Sequence, residues 1–134
     1  METTAYSTLF TTRVSDINYG GHLGNDRVLS LFHETRVRWL SKQGWSEADI
    51  DGVGIVQTEA HLRYRAQAFL GDELSCSLEV TELKSRGFTL RYKLTRISDH
   101  AVIADGSTVL RFFDYKAQSI ASTPPRFIEV FGNK

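Results

Sequence analysis

The chain has 134 residues, 41% hydrophobic and 24% charged, with sixteen basic residues balancing sixteen acidic ones. That length predicts one domain, 1–134, able to bury a core without disulfide or metal staples. The balanced charge gives no global field for nucleic acid or an anionic membrane, and the single Cys76 excludes an internal disulfide and a cysteine-rich zinc site.

"METTAYSTLF" lacks the basic start and apolar run of a signal peptide. No stretch approaches the roughly 20 apolar residues of a membrane span. A soluble cytoplasmic protein is expected, with its thiol reduced.

Tyr6–Val14 is rich in β-branched and aromatic residues and reads as a first strand. A polar, glycine-rich loop, Ser15–Gly24, follows. Val28, Leu31, Phe32, Thr35 and Trp39 then recur at helical spacing. Asn25 is the expected N-cap and Gly44 the stop, which gives a helix of about five turns. "WSEADI" adds a short turn of helix.

From Val53 the period becomes two. Leu62, Tyr64 and Ala66 alternate with His61, Arg63 and Arg65; Leu74, Cys76, Leu78 and Val80 alternate with Ser75, Ser77, Glu79 and Thr81. Phe88, Leu90, Tyr92 and Leu94 continue the pattern, and "HAVIADGSTVLRFFDY" is a long final strand. Gly71-Asp72, Ser85-Arg86-Gly87 and Ser98-Asp99-His100 supply turns. Pro124-Pro125 and a short apolar piece, "FIEVF", close the chain. One strand, one long helix and four meandering strands predict an α+β fold, a curved antiparallel five-stranded sheet wrapped around the helix. The exposed sheet edges favour a homo-oligomer in which sheets abut.

The ordered set "SDINYGGHLGN", "HETR" and "LRYRAQAFLGDEL" resembles the hotdog-fold acyl-CoA thioesterases, closest to the 4-hydroxybenzoyl-CoA thioesterase group. That group shows D-x-D-x-x-G-H-V-N-N before its helix and E-x-A-R within it. Asp16, Gly21, His22, Asn25, Glu34, Arg36, Tyr64, Gly71 and Asp72 fall on matching positions. The resemblance implies a hotdog domain, acyl-CoA as substrate and no separate cofactor. It also places an oxyanion contact at the Asn25 backbone amide and implies a homodimer or homotetramer. The group's second aspartate, its usual nucleophile or base, falls on Asn18, and an amide cannot take a proton near neutral pH.

The remaining candidates each have two readings. Asp16 either activates a water or accepts backbone hydrogen bonds in the turn; Asn18 either orients a water and the thioester carbonyl or forms an Asx turn. His22 is a base or a hydrogen-bonded spacer. Glu34 is either half of an exposed pair with Arg38, four residues on, or a base buried at a subunit interface. Glu59 and His61 are weaker candidates. His61, Arg63, Arg65, Arg86, Arg91 and Lys93 either hold the phosphates of CoA or form a solvated face. Phe32, Trp39, Trp45 and Phe69 line a tunnel or belong to the core. No metal motif, P-loop or G-x-S-x-G elbow is present.

Two other functions compete with hydrolysis. Asp16, Asn18 and His22 echo the D-x-N-P-x-H motif of hotdog-fold enoyl-CoA hydratases, one residue longer and without the proline. A non-catalytic acyl-CoA or acyl-carrier binding protein also fits the loss of the aspartate.

Overall fold

The computed structural model describes residues 6–132; the leader reading of the first five residues lies outside them. The main elements are β1 (Tyr6–Thr11), α1 (Asn25–Lys42), β2 (Gly54–Tyr64), β3 (Glu73–Lys84), β4 (Gly87–Arg96), β5 (Val102–Asp114), β6 (Ser119–Ile120) and α2 (Pro125–Phe131). Among the described residues no helix is long and apolar enough to cross a membrane.

The sheet is antiparallel in the order β1-β3-β4-β5-β2, with the two-residue β6 added on β5. Only β3, β4 and β5 meander. The expected run of four is corrected because β2 crosses to the far edge and pairs with β5, while β1 takes the edge beside β3. Register shifts at Gln57/Glu59, Val80/Glu82 and Leu94/Thr95 mark bulges, which bend and twist the strands that carry them.

The period-two pattern does what it predicts. Leu74, Cys76, Leu78 and Val80 of β3 and Phe88, Leu90, Tyr92 and Leu94 of β4 are buried on the face that meets α1. The helix answers with Val28, Leu31, Phe32, Thr35, Arg36, Trp39 and Leu40. Phe32 stacks on Tyr92 with ring centroids 4.6 Å apart. Phe32 and Trp39 are therefore core, not tunnel walls. "FIEVF" lies in α2, whose Phe127 seals one end of the core against Trp39, Trp45, Phe88 and Phe112.

Three local expectations change. The first strand stops at Thr11, and Val14–Asp16 forms a 3-10 turn capped by the Asp16 carboxylate on the Arg13 amide. The N-cap of α1 is Gly24, in extended conformation, so Asn25 is the first helical residue. "WSEADI" is no helix: Ser46 bridges Asp49 and Ile50 bridges Val53, with Asp51 and Gly52 at positive φ. Gly44 does end the helix, in the left-handed region at φ 84° just past the Gln43 cap.

The two sheet edges differ. Along β1, Arg38 donates to Thr8 Oγ1 at 2.7 Å and to the Leu9 carbonyl at 3.1 Å, so α1 caps that edge. β2 pairs with β5 alone, and Gln57 to His61 are exposed along it.

Candidate active site

The Ser15–Gly24 loop is a closed hairpin held by its own polar residues. Asn18 N–H donates to the His22 carbonyl at 2.8 Å, and Ile17 bridges Leu23. The Asn18 Oδ1 accepts from the amides of Gly20 at 2.9 Å and His22 at 3.2 Å. Gly21, at φ 86°, makes the turn. Asn18 thus spends its side-chain oxygen shaping the loop. The Leu23 amide donates to the Ala68 carbonyl at 2.8 Å, tying the loop to the segment after β2.

Asp16 anchors the other side. Its carboxylate, 4% exposed, accepts from the Arg13 amide at 2.9 Å and pairs with Arg27 Nε at 3.4 Å. Burial alone would raise its proton affinity. The Arg13 amide and guanidinium, with Arg27, outweigh that and hold the carboxyl below its ordinary value. The Asp16 carbonyl also accepts the Gly24 amide at 3.0 Å, which fixes the start of α1.

At that start the Asn25 amide has no hydrogen-bond acceptor among the described residues. First-turn amides of a helix are unpaired within it and sit at the positive end of its dipole. Asn25 borders a cavity of about 300 Å³. Leu23, Val28, Ala68 and Ile103 give it an apolar floor, and Asn18, His22, Tyr64 and Arg65 a polar rim. The Tyr64 hydroxyl stands 3.5 Å from the Asn25 carbonyl. The His22 ring meets Phe69 edge to face, with centroids 5.6 Å apart.

The candidate residues therefore divide between two flanks of α1. Asn18, His22 and Asn25 gather at this cavity. Asp16 and Glu34 line a different one, about 450 Å³, between α1 and β1. There Glu34 is exposed and receives Arg38 Nε at 3.0 Å, the i,i+4 pair. Glu59 and His61 lie 3.3 Å apart on the exposed part of β2. His61, Arg63, Arg65 and Arg91 share a shallow depression on the outer sheet face, where Asp105 pairs with Arg65 at 2.7 Å. Arg86 sits apart, at the β3–β4 turn. Among the described residues no His, Cys, Asp and Glu cluster could hold a metal ion.

One polar assembly escaped the sequence reading. Arg36, on the buried stripe of α1, donates to Glu47 at 2.6 Å, Gln57 at 3.1 Å and the Tyr92 hydroxyl at 3.1 Å. Tyr92 is 2.8 Å from Thr108 Oγ1, and Glu47 is 2.8 Å from His33 Nε2. The available signal was Arg36 itself, four residues after Phe32, because a charge on a buried stripe requires a buried partner.

The family model of the thioesterase-like superfamily matches residues 12–131. No curated protein matches the chain. Among solved structures, the Synechocystis 1,4-dihydroxy-2-naphthoyl-CoA thioesterase superposes with a TM-score of 0.86 at 18% identity, covering 96% of each chain. SAV2348 from Staphylococcus aureus, solved in complex with CoA, gives 0.87 at 16% identity, covering 100% of this chain and 88% of its own. A gentisyl-coenzyme A thioesterase, BH1999, gives 0.83 at 17% identity, over 94% and 99%. The architecture is that of the hotdog-fold thioesterases, and with the family match running from the end of β1 through α2, the chain belongs to the thioesterase-like superfamily.

Proposed function

We propose that this protein hydrolyses acyl-CoA thioesters, releasing CoA thiol and a free carboxylic acid, and that it works as a homodimer. The observation that carries the reading is the unpaired Asn25 amide at the wall of an apolar-floored cavity. A thioester carbonyl seated there meets a fixed donor, at the positive end of a helix, where its oxygen becomes negative. The acyl group lies over Leu23, Val28, Ala68 and Ile103, and Tyr64 closes the rim. The dimer is supported by the contrast between the edges: β1 is capped by Arg38, while β2 leaves a row of backbone groups open to a second β2.

Asp16 and Glu34 are ion-paired on the opposite flank of α1. That favours supporting roles for both, and it separates Asp16 from His22, the pair an enoyl-CoA hydratase would need on one water. Steady-state assay of the purified protein against short, long and aromatic acyl-CoAs, following free thiol, tests the reading. Turnover of at least one thioester is expected. Hydration of a 2-enoyl-CoA without thiol release, or saturable binding without turnover, would replace it with one of the two rival functions.

A further inference from the structure

The cavity of about 450 Å³ between β1 and α1 has no part in the hydrolysis proposed above, yet it is built like a ligand site. Small-molecule sites span about 300–1,000 Å³, and this one lies within that range. One wall is fixed. Arg38 donates to Glu34 at 3.0 Å and to Thr8 Oγ1 at 2.7 Å, and its guanidinium lies 4.4 Å from the Phe10 ring centroid. Leu31, buried in the core, continues the apolar surface that Phe10 begins. The other wall is not closed. The Arg13 and Arg27 guanidinia face the two oxygens of the buried Asp16 carboxylate, each with its Nε at 3.4 Å. A closed charge-assisted hydrogen bond is about 2.7–2.9 Å. Among the described residues the terminal nitrogens of Arg27 meet no acceptor, and those of Arg13 meet only Asp16, at 3.5 Å.

The charges around the cavity select its occupant. The guanidinia of Arg13, Arg27 and Arg38 face the carboxylates of Asp16 and Glu34, so one positive charge is left over. A phosphate dianion would exceed that charge and face Asp16, whose side chain is 4% exposed and poorly screened by water. A neutral molecule would leave the guanidinium forks without an anion. A monocarboxylate balances the charge, and its two oxygens match the planar forks. Phe10 and Leu31 then cover an apolar tail, and Ser30, exposed on α1 at the rim, adds a hydroxyl. The free acid released by thioester hydrolysis is such a molecule.

We propose that this cavity is a second binding site, for an organic monocarboxylate, and that filling it slows turnover at the loop cavity. The control of turnover rests on the hydrolase reading above; the binding does not. The link between the two cavities is short. Arg27 belongs to the first turn of α1, two residues after Asn25. The Gly24 carbonyl accepts the Arg27 amide at 2.9 Å, and the Asp16 carbonyl accepts the Gly24 amide at 3.0 Å. Asp16 and Arg27 therefore hold the N-cap from both sides, and their side-chain pair joins the two holds. A carboxylate bound to the Arg13 and Arg27 forks competes with Asp16 for them. The loop then loses a constraint, and the Asn25 amide is held less firmly against the thioester oxygen. The acid product thereby restrains its own formation. Arg13 and Arg27 are binding residues of this second site, and neither touches the reacting atoms.

Hexanoate is the test ligand, with hexanamide as its uncharged counterpart and inorganic phosphate as a plain anion. Proton–nitrogen correlation spectra of the arginine Nε–H groups, assigned with Arg13→Lys and Arg27→Lys, read the site directly. Hexanoate should shift the Arg13 and Arg27 signals saturably, hexanamide should leave them in place, and phosphate should bind more weakly than hexanoate. Hexanoate should also lower kcat for acyl-CoA hydrolysis several-fold, in a way that excess substrate does not relieve. Arg27→Lys keeps the charge and loses the fork, and Ser30→Glu sets a carboxylate at the rim from an exposed helix position. Each should weaken hexanoate binding by about tenfold or more, as for loss of one charge-assisted hydrogen bond. Unmoved Arg13 and Arg27 signals at high hexanoate would overturn the site. Equal binding of phosphate or hexanamide, or wild-type affinity in both variants, would overturn it as well. Shifted signals with kcat unchanged, or inhibition fully relieved by substrate, would overturn the control of turnover. No thiol release by the wild type from any acyl-CoA, with the shifts present, would overturn the hydrolase reading and leave the carboxylate site standing.

Discussion

The Arg36 guanidinium donates to the Glu47 carboxylate at 2.6 Å and joins the middle of α1 to the loop that enters β2. The two ends are unequally buried, with Arg36 6% exposed and Glu47 29%. Removing the carboxylate strands a cation that water cannot reach, whereas Glu47 left alone can still hydrate. Glu47→Ala should therefore cost on the order of 3 kcal/mol, near the lower end for breaking a buried pair. Urea unfolding checks this, and a loss below about 0.5 kcal/mol, the usual scatter for surface changes, would assign the pair little weight.

Acid should expose the same dependence. Asp16 and Glu47 are both held below their ordinary values when folded, each by arginine contacts that outweigh burial. The unfolded chain then binds their protons more tightly. Their stabilisation is complete above the unfolded values of about 4 and is lost as pH falls through the lower folded ones. Melting curves of the wild type against Asp16→Asn and Glu47→Gln should differ most at neutral pH and converge in acid. A gap that widens in acid would reverse the assigned sign.

Cys76 offers a probe of the core. Burial pushes its thiol up to about 12, and the side chain is fully enclosed between β3 and α1 beside Thr35. The thiolate is the reactive form. A disulfide reagent should leave the native protein unmodified and react with one equivalent after denaturation. Rapid reaction in native buffer would mean that β3 and α1 separate readily.

Charge removal on the β1 flank of α1 should divide stability from chemistry. Asp16→Asn loses the ion pairs with Arg13 and Arg27 that fix the loop, so it should destabilise by about 1–3 kcal/mol, the range for a disturbed buried acceptor. Glu34→Gln touches an exposed pair with Arg38 and should cost under about 1 kcal/mol. Neither should reduce kcat by the 10²-fold typical of a lost general base. A folded Glu34→Gln enzyme with such a loss would restore Glu34 as the base.

The elements that sequence made legible are those set by local pattern. The stripe from Val28 to Leu40 and the alternation from Leu74 to Leu94 each state a period and a buried face, and both faces are buried. The path of β2 was not legible, because alternation tells which way side chains point and not which neighbour a strand chooses. The cap was misplaced by one residue since Asn25 is a better N-cap by side chain than Gly24. Yet the Gly24 amide is taken by the Asp16 carbonyl, and the chain enters the helix after it. The loop motif pointed to Asn18, His22 and Asn25, which do meet at one cavity. Glu47 was illegible for a different reason. "WSEADI" looks like the solvated first turn of a helix, and only the crossing of β2 past α1 brings its carboxylate to Arg36.

The central claim concerns one backbone N–H, and comparing Asn25→Pro with Asn25→Ala isolates it. Alanine removes the side chain and keeps the amide; proline removes the amide at a position whose fixed φ suits it, after a Gly24 already in the extended conformation that precedes proline. With both variants folded, CoA release by Asn25→Ala should stay near the wild-type rate. Asn25→Pro should fall by about 10²–10³ in kcat, the usual effect of losing one oxyanion donor. Equal kcat for Asn25→Pro and the wild type would contradict the account.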